Sequence, residues 1–227
     1  MSTPEADPDA NQYGRLGPVL HPLYVRAMPF VKRLQGGTFS FKGTKYPYFA
    51  HTYNETWTNE RAIEIPIART QLRGEVLEIG NVLAYYDEHK HTVVDKYEIA
   101  PGVHNLDVLD YETDQRFDTI LAISTLEHVG FDEDLKDPEK PRRAVEHLAT
   151  LLAPGGTLMV TAPIGYNPGI NAIIEPGARV FDEVNYMRRL SANNRWQEAS
   201  WAEVKDSRYS EPYFGSNGLV IAFIRKA

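Results

Sequence analysis

The chain has 227 residues, of which 24% are charged and 42% hydrophobic, and its formal net charge is −7. This length and composition fit one globular domain, and the acidic charge argues against a broad nucleic-acid-binding surface. The absence of cysteine excludes disulfides, thiolate nucleophiles and cysteine-based zinc sites. The acidic, proline-containing start and the lack of a long apolar run predict a cytoplasmic protein without a membrane span.

The N-terminal part of the chain is predicted to form separate short elements. Residues 1–15 are expected to be disordered. Residues 16–34 have the apolar spacing of a helix, but Pro18, Pro22 and Pro29 predict that this helix breaks into pieces.

A hairpin and a helix are predicted next. Apolar and polar residues alternate over Thr38–Phe49 around Gly43, a pattern typical of two short strands joined by a turn. Asn59–Leu72 is predicted to be helical, with Thr58 or Asn59 as its N-cap.

From Gly74 onwards, short apolar runs alternate with helical or loop segments. A helix over Lys140–Leu152 is expected to stop at Pro154–Gly156. The alternation predicts a parallel sheet with helices on both faces. The predicted strands are Glu75–Ile79, Thr92–Val94, Val103–Val108, Phe117–Ile123 and Thr157–Ala162.

Two C-terminal runs, Trp196–Val204 and Leu219–Ile224, predict an antiparallel strand pair at the sheet edge. The predicted fold class is therefore α/β, a Rossmann-like and mostly parallel sheet within a single domain spanning 1–227. Its core is expected at 59–227. The aromatic-rich segment 16–58 is predicted to form a helical and hairpin lid over it.

The residues that follow the strands point to a bound cofactor, because ligands of parallel sheets lie at the carboxyl ends of the strands. Gly80 is the only glycine in its turn, which argues against the G-x-G-x-x-G turn that binds dinucleotides. An acid after the second strand, Asp95, suits a ribose. An acid after the third strand, Asp107, suits the exocyclic amine of adenine.

The runs VLEIG, VVDKYE, NLDVLD, FDTILAISTLEHVG and LLAPGGTLMVTAPIGYNP, within about residues 74–165, resemble the class I S-adenosylmethionine (SAM)-dependent methyltransferases. The chain departs from the family's E/D-x-G-x-G turn in lacking the second glycine. The resemblance implies SAM as the cofactor. The residues that it implies around SAM are Glu78, Gly80 and Asn81 in the first turn, Asp95 at the ribose, Asp107 and Val108 at adenine, and Ser124 near the sulfonium.

A narrower resemblance suggests the acceptor. YNETWTNERAIEIP, Gly165–Asn167 and NNRWQEASW are similar to bacterial saccharide O-methyltransferases, such as the mycobacterial enzyme that acts on methylmannose polysaccharide. This implies methyl transfer to a hydroxyl of a small molecule, sugar or oligosaccharide, with no nucleic-acid partner. The predicted acceptor-binding residues are Tyr53, Trp57, Tyr166, Asn167 and Tyr186.

A hydroxyl acceptor must lose its proton to a base or to a metal-assisted step. His128 is the first candidate base and His51 the second, although an equally weighted alternative gives His128 a structural role. Glu127 and Asp132 could offer oxygen ligands to Mg²⁺. The alternatives left open are an N- or C-methyltransferase, an NAD-dependent oxidoreductase and a non-catalytic SAM-binding domain. A homodimer also stays open.

Overall fold

This computed structural model describes residues 17–86 and 91–227, so residues 1–15, predicted to be disordered, lie outside the described part. No helix in the described ranges is both long and apolar enough to cross a bilayer. The strands are β1 (Thr38–Phe41), β2 (Thr44–Pro47), β3 (Val76–Ile79), β4 (Thr92–Val94), β5 (Val103–His104), β6 (Phe117–Ile123), β7 (Leu152–Pro163), β8 (Glu183–Arg189), β9 (Trp196–Ala199) and β10 (Gly218–Arg225). The α-helices are α1 (Gly17–Gln35), α2 (Arg61–Arg69), α3 (Lys140–Thr150), α4 (Pro168–Ile174) and α5 (Trp201–Val204).

Eight strands form one sheet in the order β5-β4-β3-β6-β7-β10-β8-β9. The five strands from β5 to β7 are parallel, and β10, β8 and β9 continue the sheet in antiparallel pairs. The chain runs outwards from β3 to β5 and then returns to the other side of β3 with β6. This reversal opens a crevice at the carboxyl ends of the strands. The predicted α/β, Rossmann-like fold class is confirmed.

Apolar side chains from alternate strand positions form a core on each face of the sheet. On one face, Ile120 and Val160 pack with Leu148 of α3 and Ile170 of α4. On the other face, side chains of α2 and the β1–β2 hairpin pack against the strand residues that alternate with those of the first face, such as Leu121 and Met159. Successive side chains along a strand point to opposite faces of the sheet. Each central strand is therefore buried on both faces.

The N-terminal elements agree in part with the sequence predictions. The β1–β2 hairpin is present, with Lys42 and Gly43 in the left-handed region that a tight two-residue turn requires. The prediction that prolines break the first helix is wrong, because α1 continues through Pro22 and Pro29. Each proline removes one backbone hydrogen bond, and the remaining bonds of the helix hold it together.

Both predicted C-terminal strands are present and join the sheet in antiparallel pairs, but they do not pair with each other and the first is shorter than predicted. β9 ends at Ala199 and Trp201–Val204 forms α5, because Ser200 and Glu203 make a reciprocal capping box that begins a helix. β10 does not pair with β9 but lies between β7 and β8. β8 is not among the predicted strands, because its mixture of charged and apolar residues hides its alternation.

Candidate active site

A cavity of about 340 Å³ opens at the carboxyl ends of β3, β4 and β6. The strand order brings together eight of the residues singled out from the sequence, because the loops after these strands meet at one edge of the sheet. These residues are Gly80, Asn81, Asp95, Asp107, Val108, Ser124, His128 and Asp132.

The turn after β3 closes one side of the cavity. Gly80 has φ +80°, and a Cβ at this position would lie 2.2 Å from Oγ1 of Thr125, so only glycine fits. Glu78, in contrast, does not line the cavity. It is fully buried, and its carboxylate accepts the N–H groups of Val82 and Leu83 and contacts Nε2 of His91. Glu78 therefore holds the turn from behind.

Asp95 and Asn81 form the next part of the cavity wall. Asp95 Oδ1 accepts the N–H groups of Tyr97 and Glu98, and Oδ2 accepts the N–H of Asn81. The side-chain N–H of Asn81 donates to Glu98, which leaves its buried carbonyl oxygen, Oδ1, without a partner. The wall therefore offers two neighbouring acceptors with unused capacity, Asp95 Oδ2 and Asn81 Oδ1.

Asp107 lies in a group of alternating charges. Its Oδ2 accepts from Lys140 at 2.6 Å and from Lys96 at 2.9 Å, and both lysines also bind Glu133. Partial burial opposes ionisation of Asp107, but the two lysines lower its pKa to about 2. Its Oδ1 accepts the N–H of Leu109, so one further hydrogen bond can form there.

Below the cavity, Ser124 connects β6 to α2. Its backbone has φ 39°, a left-handed conformation that non-glycine residues adopt at a cost. Ser124 Oγ donates to Glu64 Oε1 at 2.6 Å, and the hydroxyl of Thr161 donates to the same oxygen. The other Glu64 oxygen pairs with Arg61 at 2.7 Å. This buried network fixes the strained residue at the cavity floor.

His128 stands at the rim of the cavity, with 47% of its side chain exposed. Its Nδ1 lies 2.5 Å from Asp132 Oδ2, which also accepts the hydroxyl of Tyr166 at 2.7 Å. Burial opposes ionisation of Asp132, whereas the hydrogen bonds from His128 and Tyr166 lower its pKa. The carboxylate therefore accepts from Nδ1–H, and in the neutral ring Nε2 carries the free lone pair.

Glu127 lies next to His128 and is 2% exposed. Its Oε1 is 3.9 Å from His128 Nε2, and its Oε2 has no hydrogen-bond partner. Burial raises the pKa of Glu127 well above its usual range. The positive charge of Arg61 opposes this rise, and the charges of Glu64 and Glu60 add to it.

The residues proposed for Mg²⁺ do not gather a ligand set. Glu127 is buried, whereas Asp132 is exposed and bonded to His128 and Tyr166. Within residues 17–86 and 91–227, no three His, Asp or Glu side chains are grouped so that they could hold a metal ion.

The aromatic residues of the N-terminal segment lie outside the cavity. Tyr53 stacks on Tyr85 with centroids 4.0 Å apart. His51 stacks against Phe49 and meets the edge of Tyr86, and its Nδ1 accepts the N–H of Tyr53. These contacts cover the far side of the turn that follows β3. Trp57 is buried beside a separate pocket of about 230 Å³.

Three further predicted acceptor residues differ in position. Tyr166 contacts the rings of His128 and Tyr209 at the rim. Asn167 is buried, where it caps α4 and donates to the carbonyl oxygen of Glu127. The hydroxyl of Tyr186 donates to Ile174 and its ring packs on Trp201. Tyr166 contacts the rim through side chains, Asn167 reaches only the backbone carbonyl of Val129 there, and Tyr186 lies away from the cavity.

The residues that support the site from below are not among those predicted from the sequence. Arg61 and Glu64 stand three positions apart in a helix whose other buried side chains are apolar, and this was the available signal. Lys96 and Lys140 gave no signal, because they are distant in sequence and come together only in the fold, where both bind Asp107 and Glu133.

No family model matches the chain, and no curated protein matches it. Among solved structures, the chain is similar to the N-methyltransferase NodS from Bradyrhizobium japonicum WM9 in complex with S-adenosyl-L-homocysteine, with 17% identity and a TM-score of 0.40 over 67% of this chain and 77% of that chain.

A SAM-dependent methyltransferase from Thermotoga maritima gives 16% identity and a TM-score of 0.43 over 71% and 86% of the two chains. The sugar N-methyltransferase KedS8 from Streptoalloteichus sp ATCC 53650 gives 15% identity and a TM-score of 0.35, over 71% of this chain and 83% of that chain. Similarities this distant do not carry an activity or an acceptor over to the chain.

Proposed function

We propose that this chain is a SAM-dependent methyltransferase that methylates a hydroxyl group of a sugar or oligosaccharide. The observation that carries the proposal is the position of His128, which reaches the rim of the strand-end cavity with Nδ1 held by Asp132. An imidazole oriented in this way is suited to remove a proton at neutral pH.

The cavity residues fit the adenosine part of SAM. Asp95 Oδ2 and the unpartnered Oδ1 of Asn81 supply two acceptors for the paired hydroxyls of a ribose. Asp107 keeps capacity on Oδ1 for the exocyclic amine of adenine. Buried, polar acceptors without partners are costly unless a ligand binds them, so Asn81 in particular supports an occupant here.

The charge of the cavity favours SAM over a dinucleotide. Lys96 is the lysine that lines the cavity, and both Asp107 and Glu133 bind it. A pyrophosphate would need unpaired cations or a run of backbone N–H groups close to a glycine-rich turn. The turn at Gly80 provides one glycine alone, so a cofactor without phosphate fits better.

SAM, when bound, supplies a methyl group on a positively charged sulfur. The residues of the chain orient the acceptor and take its proton, which is where much of the rate of an in-line displacement arises. We assign proton removal to Nε2 of His128. Nε2 lies 3.9 Å from Oε1 of the buried Glu127, beyond hydrogen-bond distance, so its lone pair is available to an acceptor hydroxyl. Tyr166 and Tyr209 border the same position and suit the apolar face of a sugar ring.

The test is to incubate the full-length protein with methyl-labelled SAM and a cell extract, and to identify labelled products by mass spectrometry. We expect a labelled saccharide whose methyl group is on oxygen, and no label with His128→Ala. A product methylated on nitrogen or carbon would show that the acceptor atom is not a hydroxyl oxygen. Calorimetry that detects binding of NAD but not of SAM would reject methyl transfer.

A further inference from the structure

A second concave surface lies on the N-terminal side of the molecule, between α1, the β1–β2 hairpin and α2. Its volume is about 860 Å³, in the upper range of ligand-binding pockets. We call it the basic groove. Among the described residues, its lining contains the cationic side chains of Arg26, Lys32, Arg33 and Arg69 and no aspartate or glutamate. This composition contrasts with the net charge of −7 of the chain.

The cations on α1 are not neutralised by neighbouring acids. Within the described ranges, Arg26, Lys32 and Arg33 form no ion pair and no side-chain hydrogen bond. Arg195 extends the same positive surface, because it lines an adjoining pocket that shares Lys32 with the groove. Like charges held close together without acids repel one another, so an anionic ligand would relieve this repulsion.

Most aromatic rings of the basic groove already have a partner on one face, so that Phe30, which is 66% exposed, does not belong to a row of open ring faces. The guanidinium of Arg195 lies 5.2 Å from the ring centroid of Tyr48, and that of Arg69 lies 4.5 Å from that of Phe49. The ring of Tyr46 stacks on Phe39. Binding of single-stranded nucleic acid relies on ring faces on which bases stack. A ligand with anionic groups and hydroxyls, bound through the cations, therefore fits better.

The groove lies close to the candidate active site. His51 lines the groove, and its ring contacts Tyr86 at a centroid distance of 5.3 Å. Tyr86 ends the turn that begins at Gly80, and Gly80 lines the strand-end cavity. One ring therefore separates the groove from the turn beside the cavity, and an elongated acceptor could contact both surfaces.

We infer that the basic groove binds an acidic saccharide, and that this is the part of the acceptor that lies beyond the methylated hydroxyl. The inference rests on the proposed function for its link to methyl transfer, but the binding of an acidic saccharide can be measured without turnover. Guanidinium and ammonium groups would bind its carboxylates through charged hydrogen bonds.

The test measures binding of a short fluorescent oligogalacturonate to the full-length protein by anisotropy. The variant Lys32→Glu/Arg33→Glu reverses two groove charges. Its control, Lys45→Glu/Lys205→Glu, makes the same change in net charge at two exposed lysines outside the groove. We expect the groove variant to bind at least about tenfold more weakly, the effect of losing one charged hydrogen bond, and the control variant to bind as the wild type does.

Two probes decide the ligand class. A malto-oligosaccharide of equal length, which is uncharged, should bind far more weakly than oligogalacturonate. Added NaCl should weaken the binding of oligogalacturonate, because salt screens charge interactions. Equal weakening of both double variants, or tighter binding of an oligouridylate, would overturn the inference. SAM affinity measured in parallel separates the two proposals: a wild type that binds oligogalacturonate through the groove but does not bind SAM rejects methyl transfer alone.

Discussion

His128 is held on one side of its ring and free on the other. Its Nδ1 faces Asp132, and Tyr166 fixes the second partner of that carboxylate. Because the acceptor proton is assigned to Nε2, removal of the ring should affect turnover without affecting the cofactor pocket. Glu127 next to it is buried, and burial raises its pKa well above the usual range.

His128→Ala should lower kcat about 10²–10⁴-fold, the usual effect of losing a general base. SAM affinity by calorimetry should be unchanged. His147→Ala is the matched control, since His147 bonds to the carbonyl of Tyr111 away from the cavity, and it should retain turnover. An active His128→Ala enzyme would contradict the assignment. Activity lost in EDTA and restored by Mg²⁺ would contradict a mechanism based on protein residues alone.

The pairing of Asn81 with Asp95 is the second feature at this scale. Asp95→Ala should weaken SAM binding by about 1–3 kcal/mol, because a charged acceptor is lost. Asn81→Ala should weaken it by a smaller amount, because a neutral acceptor is lost. Asp118→Ala, in which the removed carboxylate lies at the opposite end of β6 from the cavity, is the control and should bind SAM normally. If calorimetry gives all three variants the same affinity for SAM, the ribose does not bind at Asp95 and Asn81.

At the scale of the elements, glycine is required in the turn after β3 either by close packing or by backbone conformation. Two glycines allow these two causes to be separated. Gly80 and Gly102 have similar φ, +80° and +84°, but a Cβ at Gly102 meets nothing within 4 Å. Gly102→Ala should therefore cost about 1–2 kcal/mol of stability through strain alone. Gly80→Ala carries the same strain and a clash with Thr125, so it should cost more and weaken SAM binding. Equal unfolding free energies in urea would show that the clash relaxes freely.

The central strands could be predicted because buried parallel strands are short, continuous apolar runs, and β6 begins and ends where the sequence indicated. The residues of the cavity wall followed from their positions after these strands. β8 could not be predicted, because its partner β10 comes later in the chain and buries only part of it. The bonds of Glu78 also depend on folding, since His91 reaches its carboxylate from before β4.

At the scale of the whole molecule, the N-terminal hairpin contacts the core more closely than a mobile lid would. Phe39 and Phe41 are 2% and 3% exposed and pack in the same cluster as Ile63 and Ile221. The N–H of Trp196 on β9 donates to the hydroxyl of Tyr48. The hairpin and the large sheet therefore share a core. We therefore expect the two to unfold together.

Phe39→Ala tests this coupling. Truncation of a buried phenylalanine leaves a cavity, so the free energy of unfolding should fall by about 3–5 kcal/mol, with a single transition retained by all probes. Phe214→Ala is the control: Phe214 is 72% exposed, and its loss should change stability by less than about 0.5 kcal/mol. Urea unfolding would be followed by tryptophan fluorescence, which reports on Trp57, Trp196 and Trp201, and by circular dichroism of the sheet. If Phe39→Ala melts the fluorescence signal well before the circular dichroism signal, the N-terminal segment is a separate unit and the domain is not continuous across 16–227.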